Sequence, residues 1–435
     1  MASRAAALRY GPPVVSGPGS ARPPRVVIDA RIPDGAWGGV QQVVAGLASG
    51  FASLAPSSDV RFLALADHAW LEPFVESEES IVVAPPALGS STRRRLYQRV
   101  AKVMPKFADL ARLTAPVAAR ISIPVPTSDG FLESLRPELV HFATQQAFLT
   151  SVPSIYQPHD LQHIHLPEFF TPLQRRNREV TYRRFADEAA MVVVMTTWGR
   201  DDLVRNLGMD PKRVAVVPWA PVAGLGGDRV KAPAIPDLPD RFILYPAQTW
   251  AHKNHLRLIE GLAVLRGRAE RIDLVAIGRR NEHYPVIRDR AIELGVADQV
   301  HFLGYVEPAV VSALYARATA LVFPSLFEGW GLPIVEAFAY GVPVACSNAT
   351  VLPEVAAEAA LLFDPLDVEG IAKAISTVVG DVAVRDELRR RGRARARELS
   401  WSRTAATFAA LYRKVLGMPL DVEASQLLAP PTLVA

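Results

Sequence analysis

The chain has 435 residues, of which 50% are hydrophobic and 21% are charged. This composition excludes a disordered or fibrous chain, and the length exceeds what one hydrophobic core usually organises, so we expect two domains of similar size. The net charge of +4 is compatible with an anionic ligand or an anionic membrane surface and proves neither, while the single cysteine, Cys346, excludes an internal disulfide framework.

Residues 1–22 predict a disordered leader, because one short apolar patch is followed by glycine and proline without the apolar core of a secretory signal. No apolar run in the sequence approaches the roughly 18 residues that a membrane span needs. Together with the lone cysteine, these features lead us to expect a cytoplasmic protein.

Two series of short apolar runs alternate with segments of helical length. Runs that are buried on both faces and separated by helices are typical of parallel sheets covered on both sides. The fold class predicted is therefore α/β, with two doubly wound Rossmann-like domains that face a cleft. The runs of the first series are 26–29, 62–66, 81–84, 139–143, 191–196 and 214–218, and those of the second are 242–245, 274–277, 300–303, 320–323, 342–345 and 360–363.

The segment 221–240 is rich in glycine and proline and indicates an interdomain linker. It separates a first domain over 23–220 from a second domain over 241–400. A closing helix over 401–417 and a loose tail over 418–435 follow. In open parallel sheets the ligand binds beyond the carboxyl ends of the strands, so we expect the site in the cleft.

A basic segment at 93–120 contains eight basic residues and one acidic residue, Asp109. Its apolar positions repeat at helical spacing beside a stripe formed by Arg95, Arg99, Lys102 and Lys106. One interpretation is a basic amphipathic helix in peripheral contact with an anionic membrane, which would suit a lipid-linked acceptor. The other is a helix packed on the first domain with a basic rim, kinked at Pro105. The arginine-rich segment 389–397 indicates a solvated helix face rather than a nucleic-acid site.

A histidine-rich loop follows the strand that begins near Ile155. His159 is expected to face the cleft from the end of that strand, and the alternative is a loop histidine paired with Asp160. A zinc cluster with His163 and His165 is disfavoured, because the spacing is unusual and no cysteine accompanies it. The sequence contains no Asp-x-Asp motif either, so we expect neither a metal nor a cofactor.

Three charged side chains follow buried strands of the second domain. Lys253 stands near a helix start, where a lysine beside helix amides can hold a diphosphate. Glu328 and Glu336 flank a glycine-rich corner, the first on a loop and the second one turn into a helix whose first turn contains Pro333. Such a corner suits a ligand with phosphates and hydroxyl-rich rings. The alternative interpretation is an ordinary corner with a capping Glu328 and a solvated Glu336.

The corner 327–344 has the sequence Phe-Glu-Gly-Trp-Gly-Leu-Pro-Ile-Val-Glu-Ala-Phe-Ala-Tyr-Gly-Val-Pro-Val, and residues 352–355 follow as Leu-Pro-Glu-Val. This pattern resembles the Glu-x7-Glu signature of the retaining glycosyltransferases of the GT-B fold, GT4 type. The segment Pro-His-Asp-Leu at 158–161 is similar to that of mannose-transferring members. The resemblance covers 155–416 well and the first 150 residues only in outline.

The resemblance implies a role for each candidate residue. Glu328 and His159 lie beside the transferred sugar, Glu336 binds the ribose, and Lys253 binds the donor diphosphate. Many relatives carry an arginine where Gln248 stands, so Arg279 is a candidate to replace it. The helix-start amides that would bind the diphosphate are those of Gly329, Trp330, Gly331 and Leu332. The loop after the third strand of the second domain, Gly304, Tyr305 and Val306, would contact the base. The glycine loop near the acceptor contains Gly38 and Gly39.

The predicted function is a metal-independent retaining glycosyltransferase. It moves a hexose, mannose-like by preference, from a nucleoside-diphosphate sugar to a glycan or a lipid-linked acceptor. GDP-mannose is the favoured donor, and UDP- or dTDP-sugars stay open. Two alternatives remain, namely a nucleotide-sugar epimerase or hydrolase and a non-catalytic protein that binds nucleotide sugars.

Overall fold

The computed structural model describes residues 23–32, 39–54, 60–66, 74, 81–83, 122–222 and 238–429. The strands are β1 Arg25–Asp29, β2 Arg61–Ala66, β3 Ile81–Val83, β4 Leu139–Phe142, β5 Ser154–Tyr156, β6 Met191–Val194, β7 Val214–Val216, β8 Phe242–Pro246, β9 Asp273–Ile277, β10 Val300–Gly304, β11 Ala320–Phe323, β12 Val344–Ser347 and β13 Ala360–Phe363. The helices are α1 Gly39–Leu54, α2 Phe131–Ser134, α3 Gln162–His165, α4 Pro172–Glu188, α5 Thr197–Leu207, α6 His255–Gly267, α7 Tyr284–Glu293, α8 Pro308–Arg317, α9 Leu332–Tyr340, α10 Leu352–Ala356, α11 Val368–Gly380, α12 Val382–Glu398, α13 Trp401–Val415 and α14 Val422–Leu427.

The strands form two sheets, and every described pairing in them is parallel. The first sheet has the order β3-β2-β1-β4-β5-β6-β7, and the second has the order β10-β9-β8-β11-β12-β13. Central strands are buried on both faces, as in β1, where neither Val26 nor Val27 is exposed. This two-sided burial explains the continuous apolar runs in the sequence. The predicted fold class, two doubly wound domains, is confirmed.

The long helix α13 returns from the second domain to the first. The indole of Trp401 lies so close to α1 that a Cβ atom at Gly46 would stand 2.1 Å from its ring. Farther along, the Tyr412 hydroxyl donates to Nδ1 of His141 in β4 at 2.7 Å. Burial lowers the pKa of His141 to about 4, so its neutral ring accepts this bond and donates from Nε2 to Gln157 at 2.8 Å.

The strand predicted to begin near Ile155 is β5, the seventh strand of the first sheet, although it lies outside the first series of apolar runs. Two details differ from the sequence predictions. Cys346 lies inside β12 rather than after it, fully buried as a core residue. The prediction of a loose tail is wrong for residues 418–429, because α14 packs there with Ala424 buried and Arg413 donates to Asp421 at 2.9 Å.

Several predictions fall on residues outside those described. They concern the leader at 1–22, Gly38, the basic segment at 93–120 and most of the linker, and they stay predictions. Within the described ranges, the protein contains no helix with both the length and the apolar character required to cross a membrane.

Replacing Gly46 by alanine should destabilise the protein by about 1–3 kcal/mol, because the added methyl group would overlap the Trp401 ring and force α1 and α13 apart. Urea denaturation measures the change. Gly267→Ala in α6 is the matched control, since a Cβ there meets nothing within 4 Å. Equal midpoints for the two variants would contradict the packing described for α13.

Candidate active site

The candidate residues gather at the points where strand order reverses. In the second sheet this point lies between β8 and β11, and Lys253 follows β8 while Glu328 follows β11. In the first sheet the reversal lies between β1 and β4, and the loop carrying His159 follows the neighbouring β5. Open parallel sheets bind ligands in the crevice beyond such points. The two crevices face each other across the cleft.

Lys253 and Glu328 form an ion pair, with 2.5 Å between Nζ and Oε1. Their side chains are only 18% and 12% exposed. The Tyr245 hydroxyl donates to the carbonyl oxygen of Lys253 and fixes the turn that carries it. The sequence assigned these residues to different parts of a ligand, and the structure brings them into direct contact. Because an ammonium group has three donors, Lys253 can keep Glu328 and still bind an anion.

Backbone donors without a described partner lie at the start of α9, and one of their residues, Gly329, lines the pocket. Gly331 precedes the helix with a φ of 99°, a left-handed conformation that glycine adopts without strain, and Pro333 lies in the first turn. Within the described chain, no acceptor meets the amides of Gly329, Trp330, Gly331 and Leu332. The buried indole Nε1 of Trp330 also has no partner among those residues. Amides at a helix start favour an anionic ligand such as a phosphate.

Gly329 has a role that differs from its prediction. A Cβ atom there would stand 2.6 Å from the carbonyl oxygen of His159 and 3.3 Å from Cβ of Asp160. The absence of a side chain thus lets the loop of the second domain touch the backbone of the first. The sequence had explained this glycine by a close approach to ligand, and the structure shows that its Cα faces protein instead.

His159 lines the cleft in a constrained conformation. Its φ of 66° is unusual for a residue other than glycine. Nε2 donates to the carbonyl oxygen of Ala143 at 3.1 Å, and the ring lies edge-on to Trp219 at 5.1 Å between centroids. Burial lowers the pKa of His159, so the ring is neutral and Nδ1 is an acceptor. The alternative partner, Asp160, instead accepts the amide of Gln162 at 3.0 Å.

One pocket of the cleft has a volume of about 250 Å³, including the space open to solvent. Both predicted catalytic residues line it, His159 from the first domain and Glu328 from the second. Asp202 also lines it and accepts from Nε2 of His165 at 2.8 Å. Burial raises the pKa of Asp202. His159 and His165 therefore have separate partners, and the ring nitrogens of His163 have none among the described residues.

Glu336 is buried, which excludes the interpretation as a solvated helix residue. The Tyr315 hydroxyl donates to its Oε2 at 2.8 Å, and Tyr315 stacks on Tyr340. The other oxygen, Oε1, accepts no hydrogen bond from the residues that the structure describes. Burial raises the pKa of Glu336 to about 7. One carboxylate oxygen thus remains for a ligand hydroxyl.

The other candidates lie at the ends of strands of the second sheet and at the start of α1. Gly304 ends β10 with a φ of 76°, and Tyr305 beside it is 61% exposed. Arg279 follows β9, is exposed, and accepts the amide of Thr249 at its carbonyl oxygen at 3.2 Å. Gly39 opens α1 with its Cβ position 3.3 Å from Cδ1 of Leu332. The described end of the glycine loop therefore lies against the first residue of α9.

Glu354 has a role that the sequence analysis missed. Its two carboxylate oxygens accept the amides of Thr197 and Trp198 at 2.7 and 2.9 Å, so a residue of α10 in the second domain caps α5 in the first. In the sequence, Leu-Pro-Glu-Val at 352–355 supports the family resemblance, and its glutamate has no predicted role. An acidic residue in a proline-started helical turn is a signal for amide binding, but it does not name a partner 157 residues away.

Comparisons with known proteins address the same arrangement. The model of the glycosyl transferase 4-like domain matches residues 38–220, and that of the glycosyl transferases group 1 matches residues 229–398. The two matches divide the chain where the fold divides into its two sheets. The chain belongs to the group 1 glycosyltransferases of GT4 type.

Curated relatives of this glycosyltransferase family member include two mannosyltransferases. O-antigen chain mannosyltransferase B of Escherichia coli is 30% identical over 254 residues, which is 56% of this chain and 65% of the relative. The MMP alpha-(1->4)-mannosyltransferase of Mycolicibacterium hassiacum is 30% identical over 246 residues, 54% of this chain and 56% of the relative. The chain thus spans between about half and two thirds of the length of these relatives.

Solved structures support the GT-B fold. Sucrose-phosphate synthase from Thermosynechococcus elongatus superimposes with a TM-score of 0.65 at 19% identity, over 91% of this chain and 99% of that one. A glycosyltransferase from Rickettsia africae gives 0.62 at 14% identity, with the same coverage of both chains.

Replacing Glu336 by glutamine should change how the free energy of unfolding depends on pH. The pKa of Glu336 is about 7 in the folded chain, and an unfolded glutamate titrates near ~4.3. Between these two pKa values the folded state holds a proton that the unfolded state has released. The resulting stabilisation is complete below the pKa of the unfolded chain and is lost as the pH rises to about 7. The free energy of unfolding of Glu336→Gln should not show this loss.

Urea denaturation at about pH 5 and about pH 7.5 measures this difference. Glu358→Gln is the control, because that side chain is 78% exposed. If Glu336→Gln declines as steeply as the wild type, Glu336 is not the group responsible.

Proposed function

We propose that this protein transfers a hexose, mannose by preference, from a nucleoside-diphosphate sugar to a glycan or a lipid-linked acceptor, with retention of anomeric configuration. The observation that carries the proposal is the ion pair of Lys253 with Glu328 beside the unpaired amides of α9, opposite the neutral His159. Groups that can donate hydrogen bonds to a phosphate and groups that can accept them from sugar hydroxyls thereby lie in one cleft.

The donor diphosphate suits the amides at the start of α9 and the ammonium group of Lys253. Both kinds of group stabilise the negative charge that grows on the leaving diphosphate as the sugar bond breaks. Gln248 stands where many relatives carry an arginine, and we propose that the exposed Arg279 replaces that arginine. Because these donors already supply positive potential, the proposed reaction uses no metal and no cofactor.

Glu328 and Glu336 suit the hydroxyl groups of the donor. Glu328 keeps Oε1 on Lys253, which orients the other carboxylate oxygen toward the hydroxyls of the transferred sugar. Glu336 offers Oε1 to the ribose, and a charge-assisted bond there requires the ionised carboxylate. The loop Gly304–Val306 is the proposed contact of the base, with its left-handed glycine and exposed tyrosine.

Mannose and GDP-mannose are favoured by the mannosyltransferases among the relatives and by the segment Pro-His-Asp-Leu at 158–161. His159 is neutral, with Nε2 on the carbonyl of Ala143, and therefore suits the positioning of sugar or leaving group rather than proton removal. Family membership does not favour an epimerase, a hydrolase or a silent binding protein. Each of these would handle the donor without an acceptor.

A panel of GDP, UDP, dTDP, ADP and CDP should contain one nucleotide, GDP by preference, that raises the thermal midpoint selectively. A ligand that binds only the folded state stabilises it by mass action. Each nucleotide is measured without and with magnesium, and an equal shift in both supports the metal-free site. If none of the nucleotides shifts the midpoint, the donor assignment fails.

Glu328→Gln should lower transfer from GDP-mannose by about a hundredfold or more, because it removes a charged partner of the reacting sugar. The assay follows both GDP release and mannosylated product over a panel of mannosides and lipid-linked saccharides. Glu358→Gln, far more exposed, is the control for the loss of one carboxylate. Near-normal transfer by Glu328→Gln would remove this residue from the active site. GDP release without any mannosylated product would favour a hydrolase.

A further inference from the structure

Arg178 stands apart from the other arginines of α4. On the exposed face, Arg184 pairs with Glu188 at 2.9 Å and Arg176 lies 3.9 Å from Glu179. Arg178 forms no ion pair with any residue in the described ranges, and its buried Nη1 atom has no hydrogen-bond partner there. A guanidinium group that is half-buried and unpaired requires an explanation, since buried polar atoms are nearly always satisfied.

Aromatic rings hold this guanidinium group in place. Its central carbon lies 4.7 Å from the ring centroid of Phe170 and 5.8 Å from that of Tyr182. Such contacts orient a cation while leaving its N–H donors available. The arginine is therefore fixed in position without being neutralised.

His163 adds a second unsatisfied group to the same cluster. The side chain is 1% exposed, and neither ring nitrogen has a partner among the described residues. Its ring meets Tyr182 edge-on at 5.3 Å and Phe170 at 6.5 Å. Arg178 and His163 thus share the same two aromatic neighbours, and both carry buried donors that no described residue uses.

The cluster adjoins the cleft, because Asp160 and Leu161, which line the pocket, lead directly into the helix α3 that carries His163. Burial, followed by the charges of Arg178 and Arg175, lowers the pKa of His163 to about 4. Burial and Lys253 lower the pKa of His252, in the second domain, to about 2, and Arg178 adds to this effect. The charge of Arg178 therefore reaches the neighbour of Lys253 across the domain boundary. Lys253 is paired with Glu328, whereas Arg178 forms no ion pair with any described residue.

We propose that Arg178 and His163 form a binding site for a phosphate group of a substrate, on the first-domain side of the cleft. A guanidinium fork matches phosphate oxygens in a bidentate manner, and a neutral imidazole adds one N–H donor. Both residues belong to the first domain, opposite the proposed diphosphate site at Lys253, so the acceptor is the favoured carrier of the phosphate. This assignment of the carrier rests on the proposed transfer reaction.

Calorimetric titration with inorganic phosphate tests the site, in the wild type and in Arg178→Gln, without GDP and with saturating GDP. We expect phosphate to bind the GDP-loaded wild type, and Arg178→Gln to weaken it at least about tenfold, as the loss of a charged hydrogen bond requires. Arg178→Lys should retain part of the affinity. Arg176→Gln, which removes an exposed arginine of the same helix, should match the wild type.

The titrations distinguish an acceptor from a donor as the carrier of the phosphate. If the site binds the acceptor, the affinity for GDP is unchanged in Arg178→Gln. If the site binds the donor, Arg178→Gln lowers the affinity for GDP, and GDP displaces phosphate from the wild type. His163→Phe keeps the aromatic packing and should also weaken phosphate, which preserves the test if Arg178→Gln does not fold.

Two outcomes would overturn the proposal: equal phosphate affinity in the wild type, Arg178→Gln and His163→Phe, or no phosphate binding to the wild type. A wild type that binds phosphate but none of the nucleoside diphosphates would instead remove the proposed donor and leave the phosphate site standing.

Discussion

The bond from Glu354 to the first turn of α5 is the constraint on which the cleft depends. One carboxylate accepts two amides of the other domain, at a helix end where the aligned peptide dipoles favour negative charge. The same interface presses the loop of Gly329 against the carbonyl of His159. Because both contacts involve backbone, they fix the distance between the two walls rather than the position of single side chains. Glu328 and His159 consequently line one space.

Within this space the charges are arranged unequally. The second domain contributes a cation and an anion that are already paired, together with amides that lack an acceptor in the described chain. The first domain contributes a neutral histidine and an unpaired arginine. N–H donors for an anionic ligand therefore lie on both walls, while Glu328 and Glu336 lie on the wall of the second domain. The sugar nucleotide of the proposed reaction has one preferred direction in such a site.

The sequence predicts most of the fold and part of the site. Buried parallel strands give apolar runs, and the corner at Glu328 lies between a strand and a proline-started helix, so local pattern is sufficient for both. The short strand β5 lies outside the first series of apolar runs, but the sequence still predicts it as the strand that begins near Ile155. The pairing of Lys253 with Glu328 and the cap by Glu354 depend on residues distant in sequence, and nothing local specifies them. The burial of Glu336 follows from Tyr315 on another helix, which is equally non-local.

The contact of Trp401 with Gly46 also bears on how the protein is made. The first domain ends before residue 222, but the groove on its α1 is filled by a side chain almost two hundred positions later. During translation from the N-terminus, domains generally fold as they emerge. The groove on α1 cannot be filled before residue 401 has been synthesised. The first domain therefore completes its packing only after the second domain has been translated.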